Sequence, residues 1–127
     1  MSLATKIIIF EDEPLIAFDI EEAVLEAGCE VVGIARTVEE GLGLLKTVAC
    51  DGAVLDANLN GNSVEPIAKE LEARKLRYII ASGYSRDQLE FVHDATPLVN
   101  KPFSMPELVS VVRTHLCNEE HEGDQLA

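Results

Sequence analysis

Five short apolar runs rich in β-branched residues recur along the chain, and stretches with helical spacing fill the gaps between them. The runs are KIIIF at 6–10, EVVGIA at 30–35, GAVL at 52–55, YIIA at 78–81 and PLV at 97–99. Short runs without polar alternation suit strands that are buried on both faces. The helical stretches lie at about 14–27, 38–48, 64–75, 86–94 and 105–117; in the first, Ile16, Ile20, Ala23 and Ala27 recur on one side. Five strands alternating with five helices predict an α/β fold of (βα)5 type. Right-handed crossovers place helices on both faces, so the sheet is expected to be parallel and doubly wound.

Local signals mark where these elements begin and end. Thr37 with Glu40, Ser85 with Gln88 and Ser104 with Glu107 each fit a capping box, in which two side chains satisfy orphan N–H groups at a helix start. Gly28 suits the end of the first helix, because glycine takes a left-handed C-cap at little cost.

A chain of 127 residues is the size of one ordinary domain, here read as residues 1–117. The remaining NEEHEGDQLA, 118–127, is acidic, poor in apolar residues and expected to be a disordered tail. No secretory signal is read at the amino terminus, and no apolar run approaches the roughly 20 residues that cross a bilayer. A soluble protein of the cytoplasm with no membrane partner is expected. The net charge of −13 argues against nucleic acid, whose binding draws on clustered Lys and Arg. Cys29, Cys50 and Cys117 are odd in number and widely spaced without a CxxC, so reduced thiols are expected rather than disulfides or a zinc site. His93, His115 and His121 show no metal-ligand spacing, and no phosphorylatable histidine is implied.

In a doubly wound sheet the chemistry belongs at the carboxyl ends of the strands. Glu11-Asp12-Glu13 follow the first strand, Asp56 lies in VLDANLNG after the third, Ser82 follows the fourth and Lys101, in NKPF, follows the fifth. Four strand ends thus bring polar groups to one edge.

From Lys6 to Leu116 this pattern resembles the receiver domain of two-component response regulators. The family's acidic pair, phosphoacceptor aspartate, strand-four hydroxyl and strand-five lysine fall on Glu11 and Asp12, Asp56, Ser82 and Lys101. YIIASGY further resembles the PFxFATGY signature of the subgroup called FATGUY receivers, with Arg77, Ile80 and Ser82 departing from it. The resemblance implies a flavodoxin-like strand order 2-1-3-4-5. It also implies a phosphoryl group taken onto Asp56 from a histidine kinase or phosphotransfer protein, with Mg²⁺, or Mn²⁺ in its place, as cofactor. By the family pattern Asp12 and Asp56 bind the metal directly, Glu11 acts through water, Asn58 gives its backbone carbonyl, and the Lys101–Pro102 bond is cis.

The charges agree with that reading. Glu11, Asp12 and Asp56 carry about −3, Lys101 returns +1, and a divalent cation cancels the rest. Mg²⁺ prefers oxygen ligands and keeps several waters. A carboxylate can attack phosphorus and hold the group as an acyl phosphate. Ser82 can donate one hydrogen bond to a phosphoryl oxygen, with Gly83 leaving room beside it. In receivers an aromatic residue of the fifth strand follows that hydroxyl inward; here the matching position is Leu98. Tyr84 is therefore read either as a replacement that reports movement of the loop from 82 to 90, or as a side chain that limits water access at the mouth of the site.

On the first helix, Phe18 and Leu25 form a stripe about 200° from Ile16 and Ile20. That stripe either docks a kinase's helices or meets a neighbouring helix of the same domain. The favoured function is a stand-alone receiver, not an enzyme in its own right, that acts in trans on a downstream protein the sequence does not name. Two alternatives are a receiver-like module that works without phosphate and a Mg²⁺-dependent phosphatase of the haloacid dehalogenase type. The phosphatases carry their nucleophile as DxD after the first strand, whereas here it follows the third as DxN.

Overall fold

The structure, a computed structural model, describes residues 4–92 and 95–117. The 118–127 segment, His93 and His121 lie outside the described residues. The elements run β1 (Lys6–Phe10), α1 (Pro14–Glu26), β2 (Glu30–Ala35), α2 (Val38–Thr47), β3 (Gly52–Asp56), a small hairpin of β4 (Asn58–Leu59) and β5 (Asn62–Ser63), α3 (Glu65–Ala73), β6 (Arg77–Ser82), β7 (Leu98–Asn100) and α4 (Met105–His115). The five main strands form one sheet in the order β2-β1-β3-β6-β7, with every pairing parallel. Counting only those five, this is the order 2-1-3-4-5.

Alternation along each strand divides the core in two. Ile7 and Ile9 join Val54, Ile79 and Val99 on the face covered by Ile20 and Val24 of α1 and by Leu108 and Val112 of α4. Ile8 and Phe10 join Ala53, Leu55 and Ile80 on the opposite face, with Leu45 of α2 and Ile67 and Leu71 of α3. Both faces are buried, which is why the strands read as unbroken apolar runs. The second layer closes tightly at Gly41 of α2. A β-carbon there would stand 2.7 Å from the Phe10 ring and 2.9 Å from Ile67.

Caps act where the sequence marks them, with one variation. Thr37 accepts from the Glu40 N–H and Ser104 from the Glu107 N–H. Glu40 in turn accepts from the Arg36 N–H, one residue before the cap. Gly28 takes φ +95° beyond α1, and its N–H donates to the Leu25 carbonyl.

Two expectations are corrected. A helix over 86–94 does not form. Ser85 and Gln88 cap a single 3-10 turn, Arg86–Gln88, after which Leu89 is extended. A turn follows, in which the Val92 N–H donates to the Leu89 carbonyl at 3.2 Å. This irregular path packs Leu89, Phe91 and Val92, all partly buried, against the second core layer, although these positions do not share one helical face. The Arg86 guanidinium closes the segment by donating to the Thr96 carbonyl at 2.7 Å.

The thiols also differ from the sequence reading. Cys29 and Cys117 are joined in a disulfide, with Cα atoms 6.5 Å apart and a sequence separation of 88, and Cys50 alone is free. Their wide spacing carries no local motif, and they meet because the carboxyl ends of α1 and α4 lie side by side on one face of the sheet.

Candidate functional site

The carboxyl edge of the sheet assembles the site from backbone that remains in the ladder. The Glu11 N–H donates to the Ala35 carbonyl at 2.9 Å, Asp56 pairs with Ala81, and the Lys101 N–H donates to the Ser82 carbonyl at 2.8 Å. Each functional side chain therefore starts from a rigid strand end. The Lys101–Pro102 bond is cis, as the resemblance implies.

Glu11 is 1% exposed, Asp56 8% and Ser82 1%. One carboxylate oxygen from each of Glu11, Asp12 and Asp56 lies within 4.8 Å of the others. Lys101 Nζ bridges two of these residues, 3.0 Å from Glu11 Oε1 and 3.2 Å from Asp56 Oδ2. The remaining oxygens are held by backbone. Glu11 Oε2 accepts from the Glu13 N–H and Asp56 Oδ1 from the Asn58 N–H, each at 3.1 Å.

Burial pushes the Glu11 carboxyl up to about 7, the charge of Asp56 adds to the rise, and the bonds from Lys101 and the Glu13 N–H oppose it. Burial by itself would lower Lys101. The hydrogen bond to Glu11 and the charges of Asp56 and Glu11 outweigh that and raise it above the ordinary lysine value. The lysine thus stays charged and Glu11 is the group that exchanges a proton, at an edge where three carboxyl groups face one ammonium. The donor set is oxygen throughout, as a hard divalent cation requires.

Ser82 Oγ accepts from the Tyr84 N–H at 2.8 Å, which leaves its own proton to donate elsewhere. The Tyr84 ring is half exposed. It lines a groove of about 500 Å³ with Asn58, Glu65, Gln88 and Phe91. Gly83 adjoins open space, where an added β-carbon would touch nothing. Leu98 is partly buried against the second core layer.

The hairpin after Asp56 was missed by the sequence reading. It turns at Asn60-Gly61, both at positive φ, and an Asn-Gly pair between short strands is a strong turn signal in sequence. It holds Asn58 exposed beside the acidic cluster.

Phe18 and Leu25 are exposed on α1, 57% and 51%, so no neighbouring helix among the described residues covers them. Leu15 at 81% and Ile34 at 39% extend the apolar patch, and neither was picked out from sequence. A cleft of about 290 Å³, lined by Glu11, Pro14, Phe18, Ile34 and Arg36, joins that patch to the acidic edge. A larger groove of about 650 Å³ lies at the opposite edge, among Glu72, Tyr78, Pro97 and His115, away from the convergent carboxylates. His115 closes α4 there, far from the acidic edge. No helix among the described residues is long and apolar enough to cross a membrane.

No protein-family model matches the chain. It is 32% identical over 117 residues to the phyllosphere-induced regulator PhyR of Methylorubrum extorquens, a match covering 87% of the chain and 43% of that protein. The chain spans about half the length of the curated relatives it matches. Among solved structures, SdrG from Sphingomonas melonis superposes with a TM-score of 0.72 at 34% identity, covering 88% of this chain and 96% of SdrG. The REC domain of the response regulator PhyR from Erythrobacter litoralis gives a TM-score of 0.75 at 26% identity, over 91% of this chain and 88% of that domain.

Proposed function

The chain belongs to the receiver domains of response regulators, and from that premise we propose that it takes a phosphoryl group onto Asp56 and signals by changing its affinity for another protein. The observation that carries this reading is the convergence of Glu11, Asp12 and Asp56 within 4.8 Å, with Lys101 at 3.0 Å from Glu11 and 3.2 Å from Asp56.

In the transfer, an Asp56 carboxylate oxygen bonds to phosphorus while the phosphorus–nitrogen bond of a phosphohistidine breaks. The electron pair returns to the imidazole of a histidine kinase or phosphotransfer protein. Such a reaction asks a protein mainly for positioning and charge neutralisation. Asn58 orients the aspartate through its N–H bond to Oδ1, and Lys101 faces Oδ2. Glu11, Asp12, Asp56 and the Asn58 carbonyl would hold Mg²⁺ or Mn²⁺, which when bound supplies the positive charge that three carboxylates facing one ammonium still require. Ser82 has a hydroxyl proton to offer the transferred group, and Gly83 leaves that side open. Tyr84, tied to Ser82 by its backbone N–H, is the residue that reports a movement of Ser82 to the loop from 82 to 90, since Leu98 has no hydroxyl to do so.

The exposed stripe of Phe18 and Leu25, joined by the cleft to the acidic edge, suits docking of the donor's helices. The setting is the cytoplasm, where such donors work. The test is incubation with acetyl phosphate and Mg²⁺ followed by intact mass. One phosphoryl adduct is expected, absent in Asp56→Asn; an adduct that persists in that variant, or none in the parent protein, rejects the assignment.

A further inference from the structure

Cys29 and Cys117 sit at the edge of the sheet opposite the acidic site, where α1 and α4 end. We propose that they form a reversible redox clasp, which locks the α1–α4 end of the domain when oxidised and lets the last turn of α4 open more often when reduced.

The geometry that brings the two sulfurs together does not depend on the bond. The Cys29 N–H donates to the Val24 carbonyl at 3.0 Å, and the Cys117 N–H to the Val112 carbonyl at 3.3 Å, so each cysteine is fixed by the end of its own helix. The helices are held to each other by Val24, Val109, Val112 and Leu116, all buried in the layer that also contains both cysteines. The Arg113 guanidinium adds a bond to the Glu26 carbonyl at 3.2 Å. Packing thus keeps the Cα atoms near 6.5 Å, within the range a disulfide spans, whether or not the sulfurs are joined. Breaking the bond removes one tether from a core that is already assembled, and the native fold can carry either state.

Both cysteines are 5% exposed, so an incoming thiol or disulfide reaches them only when the end of α4 opens. That makes the exchange slow and couples it to the helix end. The chemistry balances with a low-molecular-weight disulfide as oxidant. One cysteine thiolate attacks a sulfur of the oxidant and expels a first small thiolate. The second cysteine thiolate then attacks the resulting mixed disulfide and expels the other. Two protein thiols become one disulfide, and one small disulfide becomes two small thiols. A bond closing a loop of 88 residues constrains the unfolded chain strongly, so the two states should differ widely in stability.

The test uses the full chain carrying Cys50→Ser, which removes the remaining thiol, equilibrated in glutathione buffers from reduced to oxidised. Alkylation and intact mass should show two free thiols in reduced buffer and none in oxidised buffer, with interconversion in both directions while the protein stays folded. The oxidised form should melt about 10 °C or more above the reduced form. Trypsin should cut after Arg113 about tenfold faster in the reduced form, because the last turn of α4 opens more often. Adding Cys29→Ala or Cys117→Ala should abolish each difference between buffers; if either variant fails to fold, the comparison of the two buffers on the parent chain still decides. Thiols that stay alkylatable in oxidised buffer, a bond that reduced glutathione cannot open without unfolding, or equal melting and cleavage in the two states would each overturn the clasp.

Discussion

Lys101 and Glu11, 90 residues apart in the chain, form a hydrogen-bonded ion pair of 3.0 Å in which the carboxylate is buried and the ammonium also faces Asp56. The pair ties the end of β7 to the end of β1 across β3 and β6. It concentrates at one edge both the charge a phosphoryl group must meet and the proton that a metal ion would displace.

A first prediction concerns that proton. Glu11 has an ordinary value of 4.5 and rises to about 7 in the folded domain, so between these values the native state binds more protons than the unfolded state. Its contribution to stability is therefore complete below about pH 4.5 and is lost as pH rises towards 7. Urea midpoints measured across that window without divalent cations are expected to fall with pH in the parent protein relative to Glu11→Gln, which keeps the side chain but not the titration. Parallel profiles would contradict the raised carboxyl.

Phe18→Ala tests the docking patch on α1. An exposed aromatic at the centre of a binding surface commonly contributes more than about 1 kcal/mol, so transfer from a cognate kinase or phosphotransfer protein is expected to slow about fivefold or more. Labelling by acetyl phosphate needs no docking and should be unchanged. Equal slowing from both donors would place the effect in the chemistry instead.

Tyr84→Ala keeps the bond to Ser82, because the donor is the backbone N–H. The site should therefore still take beryllofluoride, a phosphate mimic, while the NMR shifts it produces over residues 82–90 shrink for want of the ring. Identical shifts in both proteins would leave Tyr84 a bystander that limits access of water.

Two glycines of α2 are expected to respond in opposite directions to alanine. At Gly41 the new β-carbon would collide with the buried Phe10 ring, and overpacking should exceed the gain of about 1 kcal/mol in helix propensity, for a net loss of about 1–2 kcal/mol. At Gly43, where a β-carbon meets nothing, the propensity gain should stand alone and stabilise by about 0.5–1 kcal/mol. Chemical denaturation of the two variants measures both, and a stabilised Gly41→Ala would refute the packing argument.

The architecture and the members of the acidic edge are legible in the sequence alone. Strand runs, capping pairs and Gly28 are local signals, and a parallel sheet with right-handed crossovers sends every strand end to the same side, so Glu11, Asp12, Asp56, Ser82 and Lys101 had to share an edge. The Asn60-Gly61 turn was equally legible in principle, since its signal is two adjacent residues. What tertiary structure decided depends on contacts between distant segments. The Cys29–Cys117 bond follows from α1 and α4 ending side by side, which no spacing along the chain encodes. Residues 86–92 gave up a helix because two short turns joined at Leu89 pack Leu89, Phe91 and Val92 together against the second core layer, and that gain exists only against the finished core. The deep burial of Glu11 beneath Lys101, which raises its proton affinity, arises only once four strand ends exclude water from a common site.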